Sequence, residues 1–201
     1  MYPFVHIHGQ SFYWYDLINA FIVIPATGLY LYFAFSSIGI KKNQILTFLI
    51  VGYVIEHFGG WIIPLYYRMV ILHQTQWIYT WDKPPGRFFH SVVLVHLFYT
   101  LAACKIGRWP IRKVLDQWII VIFMGSAIGR IGCWTLGCCY GKPSDLPWPL
   151  AVHVNMMPLE VTRYPTQVIM FLAETALTVY LWLHLKKMKY EYKNYLSKLT
   201  E

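Results

Sequence analysis

Residues 129–141, GRIGCWTLGCCYG, set Arg130 and the thiols of Cys133, Cys138 and Cys139 in a strongly apolar stretch. A charged arginine at the centre of a membrane helix costs about 2.5 to 3.5 kcal/mol on insertion scales, so such residues face a bundle interior or a wet cavity. A planar guanidinium fork in low dielectric suits a phosphate or a carboxylate, and the abundant anions of a membrane are phospholipid headgroups. Arg130 therefore reads as an anion clamp. The competing role is a structural ion pair with Glu56 or Glu174. Glycines 125, 129, 132, 137 and 141 share the segment. Small residues at that spacing let helices approach closely and permit backbone breaks where a cavity is lined.

His90 follows the turn-rich WDKPPGRFF and opens another apolar segment. A group that titrates near neutrality, close to a phosphate clamp, is what group transfer from a phospholipid requires; the alternative is an interfacial anchor. His96 lies six residues further on, about 240° around a helix, which assigns it to helix–helix hydrogen bonding instead. Of Glu56 and His57, mid-span ahead of Gly59-Gly60, one is expected to reach the same cavity. The spacing Cys133-x4-Cys138-Cys139 is no recognised zinc or redox signature and vicinal cysteines rarely bond to each other, although a disulfide or metal ligation between Cys133 and Cys138, or with a histidine, stays open. Packing of small polarizable side chains accounts for Cys104 and Cys133, while for Cys138 and Cys139 packing and a chemical role stand level. On this reading no metal ligand and no cofactor is assigned.

These groups need elements to hold them. Of 201 residues, 57% are hydrophobic and 13% charged, against roughly 25% charged in soluble domains. Five apolar segments run near Leu17–Ile40, Ile45–Tyr67, Phe89–Cys104, Trp118–Cys139 and Thr166–Leu185. Each approaches the roughly 20 residues that cross a hydrocarbon core. Lys41 and Lys42, then Lys105, Arg108, Arg112 and Lys113, then the lysines of the tail from about residue 186 fall on one side of the membrane. By the positive-inside rule that side is the cytoplasm, which puts the N-terminus out and the C-terminus in. The net charge of +8 belongs to this pattern, so no nucleic-acid partner is expected.

The N-terminus has no basic region and no small-residue cleavage site, so the first span is expected to be retained. Phe12, Tyr13, Trp14 and Tyr15 read as an interfacial aromatic belt. Five prolines between residues 142 and 165 exclude a long helix. An ordered outward segment over the mouth of the site is expected there, with Trp148, Met156 and Met157 in the interface. His153 reads as a solvent-facing or interfacial group, and Arg163 as a second anion contact or a snorkelling residue. The expected fold is all-α, a polytopic bundle of about five transmembrane helices forming one membrane domain over residues 1–201, with a basic cytoplasmic tail.

The blocks GRIGCWTLGCCYGKPSDLPW and RYPTQ resemble signatures of the prolipoprotein diacylglyceryl transferase family, G-R-[IL]-G-N-F-x-N-x-E-x-[WY]-G and R-H-P-[ST]-Q-L-Y-E. Gly129, Arg130, Ile131, Gly132, Tyr140 and Gly141 fit the first, and Arg163, Pro165, Thr166 and Gln167 the second. SFYWYDL is similar to the family's W-Y-G-L, aligning Tyr15, and WDKPPGRFFHS to W-x-G-G-M-S-F-H-G-G, aligning His90. The resemblance implies an enzyme of the bacterial cytoplasmic membrane that moves the diacylglyceryl group of phosphatidylglycerol to a cysteine thiol in the signal peptide of a lipoprotein precursor. It implies that Arg130 holds the phosphate and His90 assists thiol deprotonation. Tyr15, Gly129, Gly132, Cys133, Cys138, Tyr140, Arg163 and Gln167 fall at substrate-binding positions.

The chain departs from the pattern where Cys133 and Leu136 replace two asparagines, Cys138 a glutamate, and Trp61 an arginine. Five spans are read here against seven in the family. These changes strip hydrogen-bonding groups from the headgroup site, so its architecture is expected to be kept more securely than the lipidating activity. Two other expectations stand beside the transferase: a non-enzymatic phospholipid- or lipoprotein-binding protein of the same fold, and a membrane thiol-redox or metal protein using the cysteines.

Overall fold

The computed structural model describes residues 4–7, 10–66, 70, 89–136, 138–147, 152–156 and 159–199. Among the described residues are five helices: α1 (Trp14–Ser37), α2 (Lys42–Tyr66), α3 (Phe89–Gly107), α4 (Ile111–Leu136) and α5 (Thr166–Leu199). Two antiparallel hairpins accompany them: β1 (Phe4–Ile7) with β2 (Gln10–Tyr13), and β3 (Val152–Met156) with β4 (Leu159–Arg163). The expected helical fold is thus present, with two short sheets added. One lies where an aromatic belt is read, and Phe12 and Tyr13 belong to β2, so only Trp14 and Tyr15 begin the helix.

Among the described residues three helices are long and apolar enough to cross a membrane: α1, the Ile111–Thr135 stretch of α4, and the Thr166–Lys189 stretch of α5. Their outer faces carry large apolar side chains, with Phe21 75% and Leu172 60% exposed. A water-soluble monomer does not leave contiguous apolar faces of that kind uncovered. At 1.5 Å per residue the 34 residues of α5 extend about 51 Å, well beyond a hydrocarbon core of about 30 Å. Lys186, over the Trp182 ring at 3.5 Å, marks where that helix turns basic.

The chain divides into two compact units. The first comprises residues 1–31 and 116–201. Within it α1 and α4 run antiparallel, as the order of their contacts requires. Gly132 meets Tyr15, Gly125 meets Val23 and Thr27, and the Tyr30 hydroxyl donates to Gln117 Oε1 at 2.8 Å. Gly125 and Gly132 therefore do what small residues in a membrane helix do: they admit a neighbouring backbone. One π-helical turn, Asn19–Val23, interrupts α1 just after Tyr15. There the Asn19 amide donates to the Tyr15 carbonyl at 2.8 Å.

The second unit comprises residues 32–115 and is held by aromatic packing. Phe48 of α2 stacks on Tyr99 of α3 with centroids 4.9 Å apart, and Phe35 and Trp109 close around Phe48. The Tyr99 hydroxyl donates to the Phe48 carbonyl at 2.9 Å, and Gly52 leaves room for its ring. His96 packs edge-on against Phe48 and sits 3.4 Å from Thr100 of its own helix. Its ring thus contributes to the packing of α2 against α3. Cys104 is buried in this unit, consistent with a packing role.

Candidate functional site

The site lies in the first unit, where α4 ends and α5 begins. Arg130 stands six residues before Leu136, the last residue of α4, and Glu174 is the ninth residue of α5. Arg130 Nη2 donates to Glu174 Oε1 at 3.0 Å, and Arg130 Nε approaches Glu174 Oε2 at 3.5 Å. Of the two partners foreseen for the arginine, Glu174 is the one observed. Both side chains are withdrawn from solvent, 21% and 9% exposed, so the pair is forked and largely desolvated. Such a pair orients a guanidinium firmly while compensating its charge. A guanidinium carries five N–H donors. Two are directed at Glu174, and the others make no hydrogen bond among the described residues.

Gly129 and Gly132 flank the arginine with opposite surroundings. A Cβ at Gly132 would lie 2.7 Å from the Tyr15 ring and 3.4 Å from Tyr15 Cα, so glycine is what allows α1 and α4 to meet. A Cβ at Gly129 would meet nothing within 4 Å among the described residues, which leaves open space next to Arg130. Tyr15 is thereby held against α4 at Gly132, two residues beyond Arg130 in the chain.

Beyond Leu136 the chain reverses and is fastened to the start of α5. The Cys138 amide donates to the Cys133 carbonyl at 3.1 Å, and Cys139 adopts a left-handed backbone with φ 62°. The Gln167 amide donates to the Cys138 carbonyl, and the Thr166 hydroxyl donates to the Cys139 carbonyl. Gln167 is buried, and its Oε1 has no partner among the described residues. Residues 141–144 then run beside β4: Gly141 and Ser144 donate to the carbonyls of Tyr164 and Thr162, and Tyr164 donates to that of Lys142. Arg163 Nη1 donates to the Gly141 carbonyl at 3.2 Å, so this guanidinium braces the loop. Tyr140 sits near Trp134 with ring centroids 6.3 Å apart, and burial raises its phenol above the ordinary value.

The reversal brings Cys133, Cys138 and Cys139 together, with their sulfurs within 4.8 Å of one another. Their sequence spacing gave no sign of this, because the cluster depends on Thr166 and Gln167, almost thirty residues further on. Arg130, Gly129, Gly132, Tyr15, Cys133, Cys138, Tyr140, Arg163 and Gln167 all belong to this unit. His90 belongs to the second unit as the second residue of α3. Its side chain lies outside the described residues, as do those of His57, His153 and Met156 and the whole of Trp148 and Met157. Ahead of Pro165 the described residues include the β3–β4 hairpin. The alternation V-H-V-N-M and L-E-V-T-R around Met157-Pro158 was the signal for it.

The family model described as prolipoprotein diacylglyceryl transferase matches residues 3–198. The chain is 32% identical over 84 residues to the phosphatidylglycerol–prolipoprotein diacylglyceryl transferase of Clostridium tetani, a match over 41% of this chain and 32% of that protein. It is 31% identical over 137 residues to the protein of that name from Cupriavidus metallidurans, over 68% and 46% of the two chains. With the Pseudomonas putida protein of that name it shares 24% identity over 148 residues, or 73% and 54%. The matches therefore span a third to about half of the length of these relatives.

Proposed function

Because the chain belongs to the prolipoprotein diacylglyceryl transferase family, we propose that it transfers a diacylglyceryl group from a phospholipid to the cysteine thiol of a lipoprotein precursor. The names of its relatives point to phosphatidylglycerol as donor. The observation that carries the reading is Arg130: a forked, oriented guanidinium within a membrane-crossing helix, with open space at Gly129 and at the arginine position of the family's signature. The guanidinium holds the headgroup phosphate. The acceptor thiol passes its proton to His90, whose role as base rests on the resemblance of WDKPPGRFFHS. The resulting thiolate attacks the diacylglyceryl carbon that bears the phosphate ester. A carbon–sulfur bond forms, the carbon–oxygen bond to phosphate breaks, and glycerol phosphate leaves with the negative charge that Arg130 stabilises.

In this reading all five helices cross the bacterial cytoplasmic membrane, with the N-terminus outside, the C-terminus inside and the site toward the outer half. The distribution of Lys and Arg and the apolar outer faces of α1, α4 and α5 support it. A binding protein of the same fold is the second reading. It is favoured by Glu174, which compensates the charge of Arg130, and by Arg163, which is engaged with the Gly141 carbonyl. Complementation of a strain depleted of its own transferase separates the two. Rescue by the wild-type chain, lost with Arg130→Lys and with His90→Asn at equal membrane abundance, supports the enzyme. Failure of the well-expressed wild-type chain to rescue leaves the binding reading.

A further inference from the structure

No bond-making or proton-transfer step proposed above uses the thiol cluster at the end of α4, and its geometry is that of a ligand set. Sγ of Cys139 lies 3.7 Å from Sγ of Cys138, and the three sulfurs of Cys133, Cys138 and Cys139 fall within 4.8 Å of one another. With metal–sulfur bonds of about 2.3 Å, sulfurs sharing one ion in tetrahedral or trigonal geometry lie about 3.8 to 4.0 Å apart. The observed cluster needs shifts of less than about an ångström to reach that spacing, within the rotamer freedom of three short side chains.

A disulfide fits less well. Adjacent residues joined by a trans peptide have Cα atoms about 3.8 Å apart, below the roughly 4.4 to 6.8 Å that disulfides span. This disfavours a Cys138–Cys139 bond, and pairing Cys133 with either partner would break up a three-fold cluster that the backbone has gathered. The gathering itself is specific. Cys139 takes a left-handed conformation with φ 62°, a strain of the order of 1 to 3 kcal/mol for a non-glycine residue. The carbonyls of Cys133, Cys138 and Cys139 each accept a hydrogen bond, from the Cys138 amide, Gln167 and Thr166 respectively. Bonds of this kind, one layer behind the ligands, hold them in orientation. Arg130, one turn before Cys133 on the same face of α4, places a positive charge beside what would be an anionic sulfur set.

We infer that Cys133, Cys138 and Cys139 bind one thiophilic d10 cation, of the zinc or Cu(I) class, at the end of α4. Three thiolates select soft metals over magnesium or calcium. Three protein ligands around zinc leave a fourth position for water or an incoming thiolate, whereas Cu(I) is satisfied by the three sulfurs in a plane. The inference stands on the cluster alone and does not depend on the transferase reading.

The test is metal content of the full chain purified in detergent under reducing conditions, after passage over a weak chelating resin. About one equivalent of zinc or copper per chain is expected. It should be lost in Cys133→Ser, Cys138→Ser and Cys139→Ser and retained in Cys104→Ser. Retained zinc identifies the site with an open fourth position, and retained copper the trigonal one. As a measurement that needs no variant, cobalt(II) added to the metal-stripped wild-type chain should give a thiolate-to-cobalt charge-transfer band that zinc abolishes. Wild-type protein that holds no metal and gives no cobalt band, or that carries an intramolecular disulfide among these cysteines, overturns the inference.

Discussion

Glu174 of α5 receives both near edges of the Arg130 guanidinium, with Nη2–Oε1 at 3.0 Å and Nε–Oε2 at 3.5 Å, and is itself only 7% exposed. The carboxylate fixes the arginine's plane and ties the end of α4 to α5. It also compensates part of the guanidinium charge. Removing one partner of a buried pair leaves an uncompensated charge, whereas replacing both with apolar groups is often tolerated.

Stability and function should therefore separate at this pair. Glu174→Ala is expected to destabilise the protein by about 3 kcal/mol, and Arg130→Leu/Glu174→Leu to recover most of that loss. Unfolding titrations in mixed micelles read both. The double variant, although stable, should show no phosphate-dependent binding of phosphatidylglycerol. Binding equal to wild type would remove Arg130 from the site.

The two glycines flanking Arg130 should respond in opposite ways. Gly132→Ala puts a methyl 2.7 Å from the Tyr15 ring and is expected to cost about 1 to 3 kcal/mol through overpacking. Gly129→Ala meets nothing within 4 Å among the described residues and should gain up to about 1 kcal/mol from helix propensity. If the space at Gly129 receives the headgroup, the same methyl raises KM for the phospholipid while the thermal midpoint holds or rises. Equal melting temperatures for the two variants would contradict the α1–α4 contact.

Gln167 and Thr166 fasten the carbonyls of Cys138 and Cys139. Gln167→Leu leaves the Cys138 carbonyl without its donor and should cost about 1 to 3 kcal/mol. Maleimide labelling of Cys138 and Cys139 should accelerate in that variant and in Thr166→Val, because the chain reversal loosens. Unchanged labelling rates would show that the reversal holds without these bonds.

How much of this was legible varies by element. An arginine in an apolar span signals itself through its cost, and Glu174 was one of only two acidic residues within spans available to pair with it. The apolar lengths of α1, α4 and α5 were likewise readable, because the length and composition that suit a hydrocarbon core are properties of the sequence itself. The thiol cluster was not readable. Cys133-x4-Cys138-Cys139 matches no ligand spacing, and only the end of α4 at Leu136, the left-handed Cys139 and two side chains of α5 bring the sulfurs together. The β1–β2 and β3–β4 hairpins were missed for a different reason. Their alternating pattern is present but spans only four or five residues per strand, and attention to long apolar runs passes over it.

The most direct test of the central claim follows the diacylglyceryl group itself. Purified protein would be given vesicles of phosphatidylglycerol labelled in the acyl chains and a synthetic peptide bearing one lipobox cysteine, with the peptide read by mass spectrometry. A thioether-linked diacylglyceryl peptide with matching release of glycerol phosphate, reduced on the order of 100-fold in Arg130→Lys, is the predicted result. Unmodified peptide from folded wild-type protein, or equal product from Arg130→Lys, would contradict it.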